Sequence, residues 1–407
     1  MKKYCLFLAA FIGFGAAYGQ NTANLKGVIS YLASDSLHGR MTGSKDERLA
    51  ADFIIKQFQQ LGVTNIRGKF STKGYLQKFK YHPKVDSTKT ELVEGNNVVG
   101  FINNHAKYTV ILGAHYDHLG MGDPHHSAYR GTATPHNGAD DNASGVATVL
   151  ELAAMVKSGG NEIKHFNYLF VLFSGEELGL YGSKWFVEHP LVDLANVNYM
   201  LNFDMVGRMD SSTHVLVVNG IGTSPVWKTV FDTTAVHIHL KTTESGVGPS
   251  DHTSFYLKNI PVLHFFTGQH KDYHMPTDDE YKINYDGMQR VLKFTYTILA
   301  QLDGKEKLPF IKTKDDNNDD APKFTVTLGV MPDYTFEGEG MRIDGVTEGK
   351  PASKAGLVQG DVVIQLGPIE VKDMMSYMKG LSQFKKGDKT FVRIKRGKEI
   401  IQKDIQF

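Results

Sequence analysis

Short apolar runs alternate along the first three quarters of the chain with stretches of helical periodicity. The runs at 108–112, 168–173, 199–203, 214–218 and 260–266 are dominated by aliphatic and aromatic residues, the pattern of strands buried on both faces of a parallel sheet. Between the first two, residues 144–156 place Val146, Val149, Leu150, Ala153 and Ala154 on one helical face, with Ser144 positioned to cap the first turn. Strands and helices alternating in this way predict an α/β fold, a mostly parallel central sheet sandwiched by helices.

The pattern breaks at 305–322, a stretch of lysines, acids and two prolines with little apolar content. Such a segment cannot bury enough surface to fold alone and reads as a linker. The expected division is a larger unit at 20–305, an acidic linker at 306–322 and a small β-rich unit at 323–407. At the amino end Lys2 and Lys3 precede an apolar run over 4–17, and Ala17-Tyr18-Gly19 follows. This is the pattern of an export signal spanning 1–19, cleaved before Gln20. The run falls short of the ~20 apolar residues a membrane helix needs, and no later stretch reaches that length, so no integral membrane segment is expected in the mature chain. Export would place the protein in the periplasm or outside the cell. The single cysteine, Cys5, lies in the leader. Stability therefore has to come from a buried core, and a chain of 407 residues with 41% hydrophobic content can build one.

Five side chains of metal-binding type follow one another along the larger unit: His115 in G-A-H-Y-D, Asp140 in G-A-D-D-N-A-S-G, Glu177 in F-S-G-E-E-L-G, Asp204 in N-F-D-M-V-G and His274 in Y-H-M-P-T-D. His115 follows the first expected strand, Glu176 and Glu177 the second, and Asp204 ends the third. Ligands in open α/β sheets collect at the carboxyl ends of strands, so these distant residues can share one crevice. Two imidazoles and three carboxylates suit a pair of divalent ions with one carboxylate shared. The expected assignment makes Asp140 the bridge, gives His115 and Asp204 to one ion, and gives Glu177 and His274 to the other. Glu176 adjoins a ligand but belongs to neither sphere, which suits a general base that takes a proton from a water between the ions and passes it to a leaving amine. Asp117 is expected to accept the free N–H of the His115 imidazole. The chain lacks H-E-x-x-H, G-x-S-x-G and a P-loop, the marks of single-zinc proteases, serine hydrolases and nucleotide hydrolases.

The segments H-x-D, G-A-D-D-x-A-S-G, S-G-E-E-x-G-x-x-G-S, N-x-D-M-x-G and H-x-P-x-D resemble those of the M28 family of zinc aminopeptidases over residues 24–302. The resemblance implies a zinc-exopeptidase fold, two Zn2+ ions, the same ligand roles, hydrolysis of N-terminal residues from peptides, and a cis peptide bond between Asp140 and Asp141. The related M20 family inserts a lid domain between its last two ligands, for which the span from Asp204 to His274 is too short. Two other functions compete. A glutaminyl cyclase has a related fold with one zinc, against which the five-ligand set stands. A non-catalytic peptide-binding protein would have no need of Glu176. His118, His125, His126 and His136 are expected at the surface, and Asp278 and Asp279 are read as turn residues. Ser250-Asp251-His252 resembles a recurrent M28 motif and reads equally as pocket lining or as a hydrogen-bonded turn before Phe255.

From residue 323 the chain resembles a PDZ domain of the kind attached to bacterial proteases. The resemblance rests on Leu328-Gly329-Val330 and on Pro351-Ala352-Ser353-Lys354-Ala355-Gly356-Leu357 followed by Gly360-Asp361. Gly356 and Gly360 are expected at positive φ. Leu366-Gly367-Pro368 stands where an asparagine-glycine turn is more usual. Such domains bind an extended peptide or C-terminus by strand addition, so the N–H groups near Leu328 and Gly329 are expected to receive a carboxylate. A packing role alone is the alternative. The formal charge of +1, which becomes −1 without Lys2 and Lys3, and the lack of a basic block give no footing for nucleic acid.

Overall fold

All five expected strands are present, and they form the middle of an eight-stranded sheet. A computed structural model describes residues 22, 24–66, 74–82, 92–122, 127, 129, 131–160, 163–234, 236–313, 326–332, 336, 338–346, 349–372 and 374–407. Residues 1–19, expected to be a leader, residues 314–322 of the expected linker, His125 and His126 lie outside the described residues. The strands are β1 (Leu76–Tyr81), β2 (Val93–Ile102), β3 (Thr109–His115), β4 (Asn167–Phe173), β5 (Val197–Phe203), β6 (Val215–Asn219), β7 (His239–Thr243) and β8 (Val262–Phe266), in the order β1-β2-β4-β3-β5-β8-β6-β7. The central four, β4-β3-β5-β8, are parallel. Every residue of β3, β4 and β5 is buried, which is why their sequences show no polar alternation.

The strands that periodicity missed are β1, β2 and β7. In β2 the apolar run is preceded by Glu94, Gly95, Asn96 and Asn97, which hides its start. Asn97 is nonetheless buried, and its amide donates to Gln77 Oε1 and Gly182 O. Satisfied in this way, it costs the sheet little.

Helices α1 (Lys45–Gln60), α2 (Gly145–Ser158), α3 (Tyr181–Glu188), α4 (His252–Tyr256) and α5 (Tyr285–Leu302) belong to this unit, as does a helical stretch over 24–32. Ser44 caps α1 by accepting the Glu47 N–H at 3.0 Å. Helix α2 lies where expected, but residues 145–153 are buried all round, and Ser144 makes no cap. Its hydroxyl donates instead to Asp140 O at 2.8 Å and Asp140 Oδ1 at 3.0 Å. On α5, Val291, Leu292, Ile298, Leu299 and Leu302 face the core, each burial contributing roughly 1.5–3 kcal/mol before entropy is counted. No helix among the described residues is long and apolar enough to cross a membrane.

The chain divides into two compact units, Met1–Thr267 with Asp272–Lys312, and Gly268–Lys271 with Thr313–Phe407. The first runs past the expected boundary at 305. Leu308 is buried in its core with its amide bonded to Asn198 Oδ1, and the Ile311 amide bonds to Thr223 O.

In the second unit β9 (Val330–Pro332), β10 (Met341–Val346), β11 (Val362–Leu366), β13 (Lys389–Arg396) and β14 (Glu399–Gln406) form an antiparallel sheet in the order β14-β13-β11-β10-β9, with β12 (Ile369–Glu370) paired to β11. Helices α6 (Pro351–Lys354) and α7 (Met374–Ser382) accompany it. Gly356 and Gly360 have φ of +74° and +88° as expected. Gly367 takes φ +53° at the first position of the two-residue β11–β12 turn, which glycine adopts without strain, whereas Pro368 after it cannot take the second positive φ of an asparagine-glycine turn.

Asp361 is fully buried, and its oxygens accept from Arg396 Nε and Nη2 at 2.7 Å each and from the Val358 amide at 2.9 Å. Burial pushes its carboxyl up, but Arg396 and the Val358 amide leave it below the usual 3.8. A depressed carboxylate stabilises the fold fully above its unfolded pKa and loses that contribution as pH falls through the folded value. Asp361→Asn should therefore destabilise the second unit by about 1–3 kcal/mol at neutral pH, and the difference from wild type should vanish in strong acid. Hydrogen exchange of the β11 and β13 amides measures both effects, and a pH-independent difference would show that the ion pair is not its source.

Candidate metal centre

Three adjacent parallel strands end on the same edge of the sheet, and each delivers ligands there. His115 is the last residue of β3, Ser174-Gly175-Glu176-Glu177 follow β4, and Asp204 follows β5. Gly175 turns the chain with φ +72°. His274 arrives on the loop after β8, itself at φ +56° with its ring stacked on Tyr273 at 3.8 Å. For a residue with a Cβ this left-handed conformation is uncommon and marks a position fixed by its surroundings.

Between the two imidazoles lies Asp141, not Asp140. Asp141 Oδ1 is 3.3 Å from His115 Nε2, and Asp141 Oδ2 is 3.3 Å from His274 Nε2. Asp204 Oδ1 lies 3.3 Å from His115 Nε2, and Glu177 Oε2 lies 3.1 Å from His274 Nε2. The position between the imidazoles expected of Asp140 is thus taken by its neighbour. Asp140 turns away, accepting the Gly207 N–H at 2.6 Å and the Ser144 hydroxyl at 3.0 Å. The cis peptide bond is correspondingly between Asp141 and Asn142, one residue later than expected.

These spacings fit zinc. Two atoms bound tetrahedrally at ~2.0–2.1 Å from one ion lie roughly 3.3 Å apart. His115 stands at this spacing from both Asp141 and Asp204, and His274 from both Asp141 and Glu177. His115 Nδ1 is 3.2 Å from the main-chain oxygen of Asp117 and 3.7 Å from its Oδ1, so the carbonyl takes the ring N–H and Nε2 is left for a metal. The Asp117 carboxylate has other partners, the Thr42 hydroxyl at 2.9 Å and the Glu176 amide at 3.3 Å. It holds the Glu176 amide rather than the His115 imidazole.

Several residues of the site escaped the sequence reading. His118, expected at the surface, is buried, with Nδ1 2.6 Å from Glu177 Oε1. His136 is buried too, bonded to Ser127 and Thr134. Asp278, read as a turn residue, accepts the amides of Asp140 and Asp141 on one oxygen at 2.9 and 3.0 Å and so fixes the backbone that carries Asp141. Arg40 is 0% exposed and spends its guanidinium on carbonyls: Nε on Tyr116, Nη1 on Leu32 and Asn137, and Nη2 on Gly138. Burial lowers its pKa to about 10, and it stays charged at neutral pH beside Asp117, Asp141 and Asp278. Nothing in S-L-H-G-R-M-T-G marks this arginine as central. The Ser250-Asp251-His252 segment is buried at the start of α4, Ser250 Oγ accepting from Asn202, and burial lifts the Asp251 carboxyl to about 7.

The two adjacent glutamates differ sharply. Burial and the repulsion of Asp141 push Glu177 up, yet His274 and His118 hold it down at about 2. Burial drives Glu176 well above the usual carboxylate value; His115 opposes this, while Asp204, Glu177 and Asp251 add to it. At His115 burial disfavours the proton, but Asp204 and Glu176 raise the ring well above its usual value; at His274 burial is likewise outweighed by Glu177 and Asp141.

Arg40→Met should lower global stability by roughly 3–5 kcal/mol, the scale of breaking a buried charge network, as read from the urea midpoint. Lysine should not restore it, since one ammonium cannot span four carbonyls. Zinc affinity should rise with pH across the neutral range. Both ligand imidazoles are raised, so each holds a proton that zinc must displace, worth about tenfold in affinity per pH unit and proton. Calorimetry in buffers of different ionisation enthalpy counts the protons, and zinc binding without proton release would contradict this charge state.

Residues 97–299 match peptidase family M28, and residues 311–406 match a PDZ domain. Aminopeptidase YwaD of Bacillus subtilis (strain 168) is 31% identical over 186 residues, 42% of this chain and 39% of the relative, so the chain spans about two fifths of that relative's length. Among solved structures, the LapA aminopeptidase of Legionella pneumophila superposes with a TM-score of 0.54 at 19% identity, covering 72% of this chain and 74% of that one. The glutaminyl cyclase of Porphyromonas gingivalis gives a TM-score of 0.55 at 16% identity, covering 69% and 98%. At these identities the two structures speak to fold alone. With the family segments gathered at the strand ends, the chain belongs to peptidase family M28 and carries a PDZ domain at its carboxyl end.

Proposed function

We propose that the protein is an exported zinc aminopeptidase that holds two zinc ions and removes N-terminal residues from peptides. The observation that carries this reading is Asp141, whose two oxygens face different imidazoles at 3.3 Å each. A carboxylate so placed suits a pair of ions better than one. Bound zinc supplies Lewis acidity and acidifies water into the neutral range. The chain supplies the proton transfer. Glu176 stands beside the His115 and Asp204 group with its carboxyl raised by burial, which brings its affinity for a proton toward working pH. Its carboxylate oxygen accepts the proton from the attacking water and returns it to the nitrogen of the departing amine. Asp117 holds the Glu176 amide, and Asp278 holds that of Asp141, so base and bridge are fixed by separate supports. The leader-like residues 1–19 support export to the periplasm or beyond.

The PDZ domain supports capture of an extended peptide or C-terminus as part of the same function. The Gly329 amide is bonded to the Thr327 hydroxyl at 3.0 Å, so a carboxylate arriving at this turn has to displace that bond.

A glutaminyl cyclase is the second reading, favoured by the likeness of fold to the P. gingivalis enzyme. Both are tested on one substrate, a peptide with N-terminal glutamine. Hydrolysis releases free glutamine, whereas cyclisation releases ammonia and leaves the chain length unchanged. Zinc-replete protein should bind about two ions and release the N-terminal residue. Glu176→Gln should retain the zinc while kcat falls ~10²–10⁴-fold. One ion at saturation together with ammonia release would establish the cyclase instead, and near-normal turnover by Glu176→Gln would remove the proposed base.

A further inference from the structure

His118 follows Asp117 in the H-Y-D-H segment and is not among the five ligands expected from the sequence. It is 1% exposed, and its ring lies 6.0 Å from that of His274. Ligand atoms of His118, Asp141 and Glu177 all lie within 4.8 Å of one another, so the imidazole either binds a metal or acts on a residue that does.

Distance separates the two roles. The proposed co-ligands stand 3.1–3.3 Å apart, as in His115 to Asp204 and His274 to Glu177, near the roughly 3.3 Å edge of a zinc tetrahedron. His118 Nδ1 and Glu177 Oε1 are only 2.6 Å apart. That is too close for two atoms sharing one zinc and is the length of a strong, charge-assisted hydrogen bond. The other ring nitrogen, Nε2, is buried with no hydrogen-bond partner among the described residues. Among the described residues, the side-chain hydrogen bond of this imidazole is made through Nδ1.

We infer that His118 is a positioning residue: its Nδ1–H donates to Glu177 Oε1 and leaves Oε2 as the oxygen directed at the metal. The inference rests on the zinc reading above. Oε2 is the atom 3.1 Å from His274 Nε2, so His118 and His274 hold the two oxygens of one carboxylate from opposite sides. A glutamate side chain otherwise has free torsions with which to swing both oxygens toward an ion. Pinned at Oε1, it presents one oxygen in a fixed direction, and its neighbour Glu176 is left free of ligation.

The test measures zinc affinity by competition with a chromophoric chelator, using the full chain and three forms: wild type, His118→Ala and His118→Asn. The asparagine amide can donate from nearly the same place as Nδ1 but is a poor zinc ligand. Alanine should weaken one zinc ion about 10–100-fold, the usual effect of losing a hydrogen bond to a ligand, and asparagine should recover most of that loss. Equal weakening in both variants would overturn the inference, because the imidazole would then be needed as a ligand or for packing. Unchanged affinity in His118→Ala would overturn it as well. A wild type that binds a single ion would sink the two-zinc reading alone. The alanine and asparagine forms, compared on that one ion, would still decide the role of His118.

Discussion

The contact on which the site depends is that of the Arg40 guanidinium with the carbonyls of Leu32, Tyr116, Asn137 and Gly138. Tyr116 lies between His115 and Asp117, and Asn137 and Gly138 enter the turn that carries Asp140 and Asp141. One rigid fork therefore sets the distance between the exit of β3 and the loop bearing the bridging carboxylate. Because its partners are carbonyls rather than carboxylates, the charge is not cancelled by an adjacent anion. It remains to act on Asp117, Asp141, Asp278 and Glu177, which the fold packs together out of water. An ion pair in the same place would have satisfied the guanidinium and left the acids to repel one another.

The sheet explains why the crevice lies where it does. The chain leaves β3, passes through α2 to β4 on one side, then through α3 to β5 on the other side of β3. At such a reversal the connections diverge and leave a gap above the strand ends. His115, Glu176, Glu177 and Asp204 all stand at that gap, and every residue of β3, β4 and β5 beneath them is buried. Core packing of the strands is thus what holds ligands from distant segments in register.

Chemistry that depends on residue type and strand position could be read from the sequence, and chemistry that depends on the turn between could not. The strands carrying His115 and Asp204 declared themselves by unbroken apolar runs, whereas β2 hid behind Asn96 and Asn97. In Asp140-Asp141 both side chains are carboxylates, and only the backbone of the Ala139–Ser144 turn, with Asp141 at φ −103°, ψ 90°, decides which one faces the two imidazoles. Asp278 and Arg40 act through amides and carbonyls, partners that every residue possesses, so no spacing identifies them. His118 reads as a surface residue because it stands beside the Gly-rich loop after His115, and its burial against Glu177 is a long-range contact that no spacing announces.

Glu176 and Glu177 show how one turn produces two opposed carboxylates. A residue step after β4 sends Glu177 between His274 and His118, where imidazoles hold it ionised at about 2. The same step leaves Glu176 near Asp204 and Asp251 with only His115 to favour its charge, and burial lifts it far above its neighbour. Pairs of titratable groups driven apart in this way divide the labour of acid–base chemistry. In the proposed mechanism Glu177 has to stay ionised to hold a metal, and Glu176 has to take up and release a proton. Moving either imidazole from one glutamate to the other would cancel both properties at once, so the position of His118 and His274 on the Glu177 side is what keeps the two carboxyls apart.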